Sequence, residues 1–266
     1  MESIGIVGCG AIGRAILKAA EQGLLGINVA GVTSRTKSTA RQFLSTLDHP
    51  PPCLDRGELI HRSDLLIEAA GGNVVPQLAR ETFDAGKELM VISIGALLDH
   101  PEIMGRSRET GRRLFIPSGA IAGLDGIKSA CGGKMSHVTI TTRKPPVGLE
   151  GAPYLVERGV SLAELAEERE IFSGTAREAC RGFPANVNVT AAVSLAGLGP
   201  DRTRVRILAV PGLQRNCHDV EVEGEFGRLA IRVENNPSEN PKTGRLTALS
   251  IIRSIQDAVD AVRIGT

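Results

Sequence analysis

The stretch Ser3-Ile4-Gly5-Ile6-Val7-Gly8-Cys9-Gly10-Ala11-Ile12-Gly13 decides the fold. Its apolar run reads as a short strand ending in Gly8, and residues 11–22 continue with helical spacing through Ile12, Ala15, Ile16 and Ala19. Strand, turn and helix therefore frame a Gly-x-Gly-x-x-Gly pattern. In that frame Gly8 permits the tight turn, Gly10 lets a pyrophosphate approach the backbone, and Gly13 lets the helix pack closely on the strand. The free amides at the helix start favour an anion. The expected dinucleotide contacts are Gly8, Gly10, Ala11, Ile12 and Gly13.

Outward from this motif, apolar strands at 27–33, 64–69 and 89–94 alternate with helices at 39–47 and 74–85. Strands apolar on both faces and separated by helices indicate a doubly wound parallel sheet. After Pro117 the sequence PSGAIAGLDG (117–126) is small and Gly-rich, a crossing into a second domain. There the pattern predicts a strand at 138–142 and a Pro/Gly loop at 144–153. A helix should open at the capping box Ser161-Leu162-Ala163-Glu164. A small-residue helix follows at 186–198, then strands with period-two alternation at 204–209, 218–223 and 228–235. The fold class expected is α/β: a dinucleotide domain over 1–117, then an α/β domain over 118–242 with an open, largely antiparallel sheet. The amphipathic helix of 243–266 is expected to pack back on the first domain.

Composition narrows the function. Lys and Arg number 31 against 30 Asp and Glu, and aromatics are 3% with no Trp, so neither the field nor the stacking surface for nucleic acid is present. The five cysteines are odd in number and scattered, with no Cys-x-x-Cys, which suggests reduced thiols in a cytoplasmic protein and no metal site. No apolar run reaches the roughly 18 residues of a membrane span, and no basic segment with a long apolar run stands ahead of the first strand, so neither export nor anchoring is expected. A small-molecule ligand is the expected partner.

A site that prefers NAD places a carboxylate at the end of the second strand, on the ribose 2′-hydroxyl. Here that end reads Thr33-Ser34-Arg35-Thr36-Lys37, with Arg41 a helical turn beyond and no acidic residue from 22 to 47. Hydroxyl plus guanidinium suits a 2′-phosphate. Ser34 and Arg35 are the candidate contacts, and NADP is expected to be accepted and preferred, with NAD as the other cofactor.

Four segments of the second half, Phe183-Pro184-Ala185-Asn186-Val187-Asn188-Val189-Thr190, Asn216-Cys217-His218, Gly224-Glu225-Phe226-Gly227 and residues 236–243 (NPSENPKT), together with the 117–126 loop, resemble the L-aspartate dehydrogenase family over nearly the full length. The resemblance implies a Rossmann domain followed by an α/β domain used in dimerisation and substrate binding. It implies NAD(P)-dependent oxidation of L-aspartate to iminosuccinate, which yields oxaloacetate and ammonia or feeds pyridine nucleotide synthesis. It puts the catalytic histidine at His218 and cofactor contacts at Ala122 and Asn188, with Asn186 the competing position for the second. Ser34-Arg35 departs from the acidic residue that many relatives carry.

The residues themselves ask for similar chemistry. Amine oxidation needs a proton acceptor and later an activator of water, and an ordinary imidazole titrates in the range for both. His49, His61, His100 and His137 sit in loops, a turn or a strand start, whereas His218 adjoins amide-rich segments. Cys217 and His218 are strand neighbours, so their side chains point to opposite faces and do not form a nucleophilic pair. Asn186, Asn240, Lys242 and Thr243 are the candidate carboxylate contacts, with Arg143 and Lys144 as alternatives. Capping of the last helix by Asn240 and Thr243 is the competing reading. A homodimer is expected from the small-residue helix and an apolar open sheet face. Two other functions remain in competition: a related two-domain dehydrogenase for another small oxo or imino acid, and a non-catalytic NADP sensor.

Overall fold

A computed structural model describes residues 1–184, 188–236, 245–262 and 264–265. The chain forms two compact units, Met1–Pro117 with Ala248–Arg263, and Ser118–Thr247 with Ile264–Thr266.

The first unit contains β1 (Ser3–Val7), α1 (Ala11–Glu21), β2 (Asn28–Thr33), α2 (Lys37–Leu44), α3 (Arg56–Arg62), β3 (Leu65–Glu68), α4 (Val75–Asp84), β4 (Glu88–Val91), α5 (Ala96–Asp99), α6 (Glu102–Thr110) and β5 (Leu114–Phe115). The strands form a parallel sheet in the order β2-β1-β3-β4-β5. Chain direction across the sheet reverses between β1 and β3, so their carboxyl ends open a crevice of the kind that takes ligands. Ile4, Ile6, Leu65 and Ile67 are fully buried against Ile16 and Leu17 of α1, each such side chain contributing about 1.5–3 kcal/mol.

The second unit contains α7 (Leu124–Ala130), β6 (Met135–Lys144), α8 (Pro153–Glu157), β7 (Arg169–Thr175), α9 (Ala176–Gly182), α10 (Asn188–Ala196), β8 (Arg204–Ala209), β9 (Asn216–Gly224) and β10 (Gly227–Asn235). Its sheet runs β10-β9-β6-β8-β7, parallel between β6 and β8 and antiparallel elsewhere. Tyr154, Phe172 and Phe183 cluster with ring centroids 5.3 to 5.7 Å apart and anchor the β7 edge to α8 and α9.

The helix expected at Ser161 does not form. Residues 161–168 are irregular, with Ala163 N–H donating to Ser161 Oγ at 3.3 Å, and the chain then enters β7. A helix of this length is marginal alone, and the ladder between Arg169–Thr175 and β8 takes its far end. The same four-residue signature does cap a helix at Thr175: Glu178 Oε2 accepts from Thr175 N–H at 2.7 Å, and Thr175 Oγ1 from Glu178 N–H at 3.2 Å.

The physical grounds for an apolar dimer face also change. In α10, Val189 to Ser194 are all buried within the unit's own core, against α7, α9 and β6. The sheet face away from these helices is charged rather than apolar: Arg143 pairs with Asp219, Arg232 with Asp219 and Glu234, Arg228 with Glu221, and Arg206 with Glu170.

The last helix, α11 (Arg245–Val259), returns most of its length to the first unit. Ile251, Ile255 and Ala258 join the core of Ile4, Ile16 and Leu17, and Gln256 Nε2 donates to Leu24 O at 2.6 Å. No helix among the described residues is long and apolar enough to cross a membrane.

Candidate functional site

The glycines of the first turn have distinct tasks. Gly8 sits at φ 111°, and a Cβ there would stand 2.4 Å from Ala69 O. A Cβ on Gly13 would stand 2.1 Å from Gly8 O, so helix and turn touch backbone to backbone. Gly10 differs, because no protein atom lies within 4 Å of where its Cβ would be. Its bare backbone borders open space at the start of α1, where Gly10 caps without a side-chain hydrogen bond and no acidic residue occupies the first turn. The residues thus fit a dinucleotide pyrophosphate, with Ala11 and Ile12 supplying first-turn amides.

At the end of β2, Thr33 is buried, Ser34 half-buried and Arg35 exposed. Lys37 is engaged by Asp55, 2.6 Å from its Nζ, which lowers the Asp55 carboxyl below its usual range. Arg35 and Arg41 form no ion pair among the described residues. Arg35, directly at this strand end, is thus an exposed cation, with Arg41 one helical turn beyond.

Glu68 is absent from the residues singled out above, yet it is fully buried at the end of β3. Its Oε1 accepts from the amides of Ala70 and Gly71 at 2.8 and 2.7 Å and from Ser93 Oγ at 3.1 Å. Its Oε2 accepts from the amides of Ile92 and Ser93 at 3.2 and 2.8 Å. One carboxylate thus ties the loops after β3 and β4 together and fixes the backbone against which Gly8 packs. The available signal was an acidic residue ending an otherwise apolar strand, Leu65-Leu66-Ile67-Glu68.

In the second unit a polar cluster lies at one end of the helix-covered sheet face. Thr142 and His218 are cross-strand partners, as are Asn216 and Asn235, and alternation sets Lys144 on the same face as Thr142. All five side chains are buried. Thr142 Oγ1 lies 3.0 Å from His218 Nδ1, and Asn235 Nδ2 donates to Ala120 O at 2.8 Å, holding the segment before Ala122. His218 is the one buried histidine of the five. Burial, and after it the Lys144 ammonium, push its imidazole down to about 3. The ordinary titration expected from the sequence is thereby corrected: an imidazole withdrawn from water beside a cation stays neutral. Cys217 faces the other way, its thiol raised mainly by burial. Arg143 also faces the other way and is tied to Asp219 and Glu168.

Ala122 and Asn188 are both exposed in the second unit. Asn186, Asn240, Lys242 and Thr243 lie outside the described residues. Among those described, no group of three or more His, Cys, Asp or Glu is placed to hold a metal ion.

Comparison with known proteins gives concordant matches. Residues 8–117 match the family model for the homoserine dehydrogenase NAD binding domain, and residues 125–258 that for the aspartate dehydrogenase C-terminal domain. The chain is 45% identical to an L-aspartate dehydrogenase of Methanosarcina mazei, with 100% of both chains covered. It is 40% identical to L-aspartate dehydrogenase 3 of Bordetella bronchiseptica, covering 99% of this chain and 97% of that one. In fold it is similar to the crystal structure of aspartate dehydrogenase from Thermotoga maritima, with TM-score 0.76, 23% identity and full coverage of both chains.

Proposed function

The chain belongs to the L-aspartate dehydrogenase family, and from that premise we propose that it removes a hydride from Cα of L-aspartate to give iminosuccinate. Water then converts this imine to oxaloacetate and ammonia, and reductive amination is the reverse. The observation that carries the reading is His218, an imidazole kept neutral among buried polar side chains.

The substrate ammonium must lose a proton before hydride leaves, because the developing C=N bond needs the nitrogen lone pair. When His218 Nδ1–H donates to Thr142 Oγ1, the Nε2 lone pair is available to accept that proton. Once that proton has passed to solvent, the same atom takes a proton from the water that attacks the imine carbon. A bound pyridine nucleotide supplies the hydride acceptor. The Gly8–Gly13 turn and the first amides of α1 hold its pyrophosphate, and Ser34 with Arg35 favour a ribose 2′-phosphate, so NADP is the preferred cofactor. Ala122 and Asn188 are further proposed cofactor contacts. Asn186, Asn240, Lys242 and Thr243 are proposed for the substrate, from the sequence alone. We place the enzyme in the cytoplasm as a homodimer serving pyridine nucleotide synthesis, a reading supported by the odd number and scatter of its five cysteines and by the family resemblance.

The test follows formation of reduced cofactor with L-aspartate, L-glutamate and L-alanine. L-Aspartate should be much the best substrate, and His218→Ala should lower kcat by about 10²–10⁴ with cofactor affinity retained. Equal turnover of L-glutamate would favour a related dehydrogenase of different specificity. Light scattering should give twice 28.1 kDa.

A further inference from the structure

Arg14 follows the last glycine of the first turn and lies on α1. Its Nε donates to Cys9 O at 3.1 Å, and its guanidinium lies 4.9 Å from the centre of the Phe43 ring on α2. The side chain is half-buried. Among the described residues neither terminal nitrogen has an acceptor, and no carboxylate pairs with the group. Packing on Phe43 asks for no charge, and a single N–H satisfies the Cys9 carbonyl, so the fork at the tip of the side chain is left over.

The backbone sets where that fork stands. Gly8 N–H donates to Thr33 O at 2.8 Å, which holds the start of the turn beside the last residue of β2. Cys9 is the next residue of the turn, and Ser34, Arg35 and Thr36 lead from β2 into α2. A guanidinium held by Cys9 O on one side and by a ring of α2 on the other therefore spans the connection from β2 to α2, where a Rossmann domain receives the adenosine ribose. No acidic residue lies from 22 to 47 or in the first turn of α1 to neutralise it.

We propose that Arg14 binds the ribose 2′-phosphate of NADP end-on through its two terminal nitrogens, together with Arg35. This rests on the reading of the site as one that prefers NADP. Arg14 is already held by Cys9 O and Phe43 before a ligand arrives, so it gives up little freedom on binding, whereas the exposed Arg35 has to be ordered. Its planar fork matches two phosphate oxygens, which an ammonium meets only as a point charge. The pyrophosphate has its own donors in the first amides of α1, so NAD binding does not depend on Arg14.

The experiment titrates adenosine 2′,5′-bisphosphate and adenosine 5′-monophosphate, which differ only in the 2′-phosphate, into the wild type, Arg14→Met, Arg14→Lys and Arg35→Ala by calorimetry. In Arg14→Met, which keeps the packing on Phe43, affinity for the bisphosphate should fall about 10- to 100-fold and that for the monophosphate less than about 3-fold. Arg14→Lys, with the charge but no fork, should lie between Arg14→Met and the wild type. The quantity read is the ratio of the two affinities, which does not depend on how much of a variant is folded. A wild-type ratio in Arg14→Met, whether both affinities fall together or neither does, would overturn the proposal. If Arg35→Ala still loses the bisphosphate selectively in that case, the NADP reading stands without Arg14. A wild type that binds both probes equally would end the NADP reading and this proposal with it.

Discussion

Thr142 Oγ1 lies 3.0 Å from His218 Nδ1, across 76 residues of sequence, because the two residues face one another in the register of β6 and β9. The hydroxyl can fix which imidazole nitrogen carries the hydrogen, and hence which one offers a lone pair.

Thr142→Val keeps the shape and removes that hydroxyl. It should lower kcat for L-aspartate about 10- to 100-fold, in line with loss of one buried hydrogen bond and of the correct tautomer. Thr142→Ser should restore most of the rate, and cofactor affinity should stay the same. A Val variant with normal kcat would show that the bond is structural only.

His218 also shapes the response to acid. Its pKa is near 6.5 when unfolded and about 3 when folded, so below pH 6.5 the unfolded chain binds a proton that the native chain refuses. Its stability contribution is therefore complete above pH 6.5 and is lost as pH falls toward 3. Urea unfolding at pH 7 and pH 5 should show the wild type losing about 2 kcal/mol more than His218→Gln. The kcat/KM profile for L-aspartate should lack a His218 inflection near pH 6.5. An inflection there that disappears in His218→Gln would mean the imidazole is solvated in the working enzyme.

These features differ in how far the sequence announces them. The turn from Gly8 to Gly13 is legible because each glycine answers a local steric demand. Ser161-Leu162-Ala163-Glu164 and Thr175-Ala176-Arg177-Glu178 carry one signature, yet only the second caps a helix. What separates them is pairing of Arg169–Thr175 with β8, a contact made some 35 residues away in sequence. The role of Glu68 was likewise hard to read, since three of its five donors, on Ile92 and Ser93, come beside it only when β3 and β4 pair. His218 could be singled out by its surroundings in sequence, but its neutrality depends on burial and on Lys144, a strand apart.

Arg35→Ala should weaken NADP binding by about 1.5–3 kcal/mol, the range for a charge-assisted hydrogen bond, and leave NAD binding nearly unchanged. Titration of both cofactors decides it. Equal losses would make Arg35 a general surface charge.

Glu68→Gln replaces one accepting oxygen by an amide that faces backbone N–H groups. It should lower stability by at least about 2 kcal/mol and raise KM for NADP and NAD together, since both rely on the backbone around Gly8. Thermal unfolding and cofactor titration test this, and wild-type values in both would remove Glu68 as a positioning residue.

Because α11 completes a core begun by Ile4, Ile16 and Leu17, the first unit is written in two pieces with the second unit between them. A ribosome adding about 5–20 residues per second delivers those pieces roughly 7–26 seconds apart, always in the same order. The nascent first unit must wait for Ile251 and Ile255 with part of its apolar surface uncovered, while the second unit has all its strands in hand. Cutting the gene after Pro117 would leave that surface exposed permanently, so an isolated cofactor domain needs α11 grafted back to stay soluble.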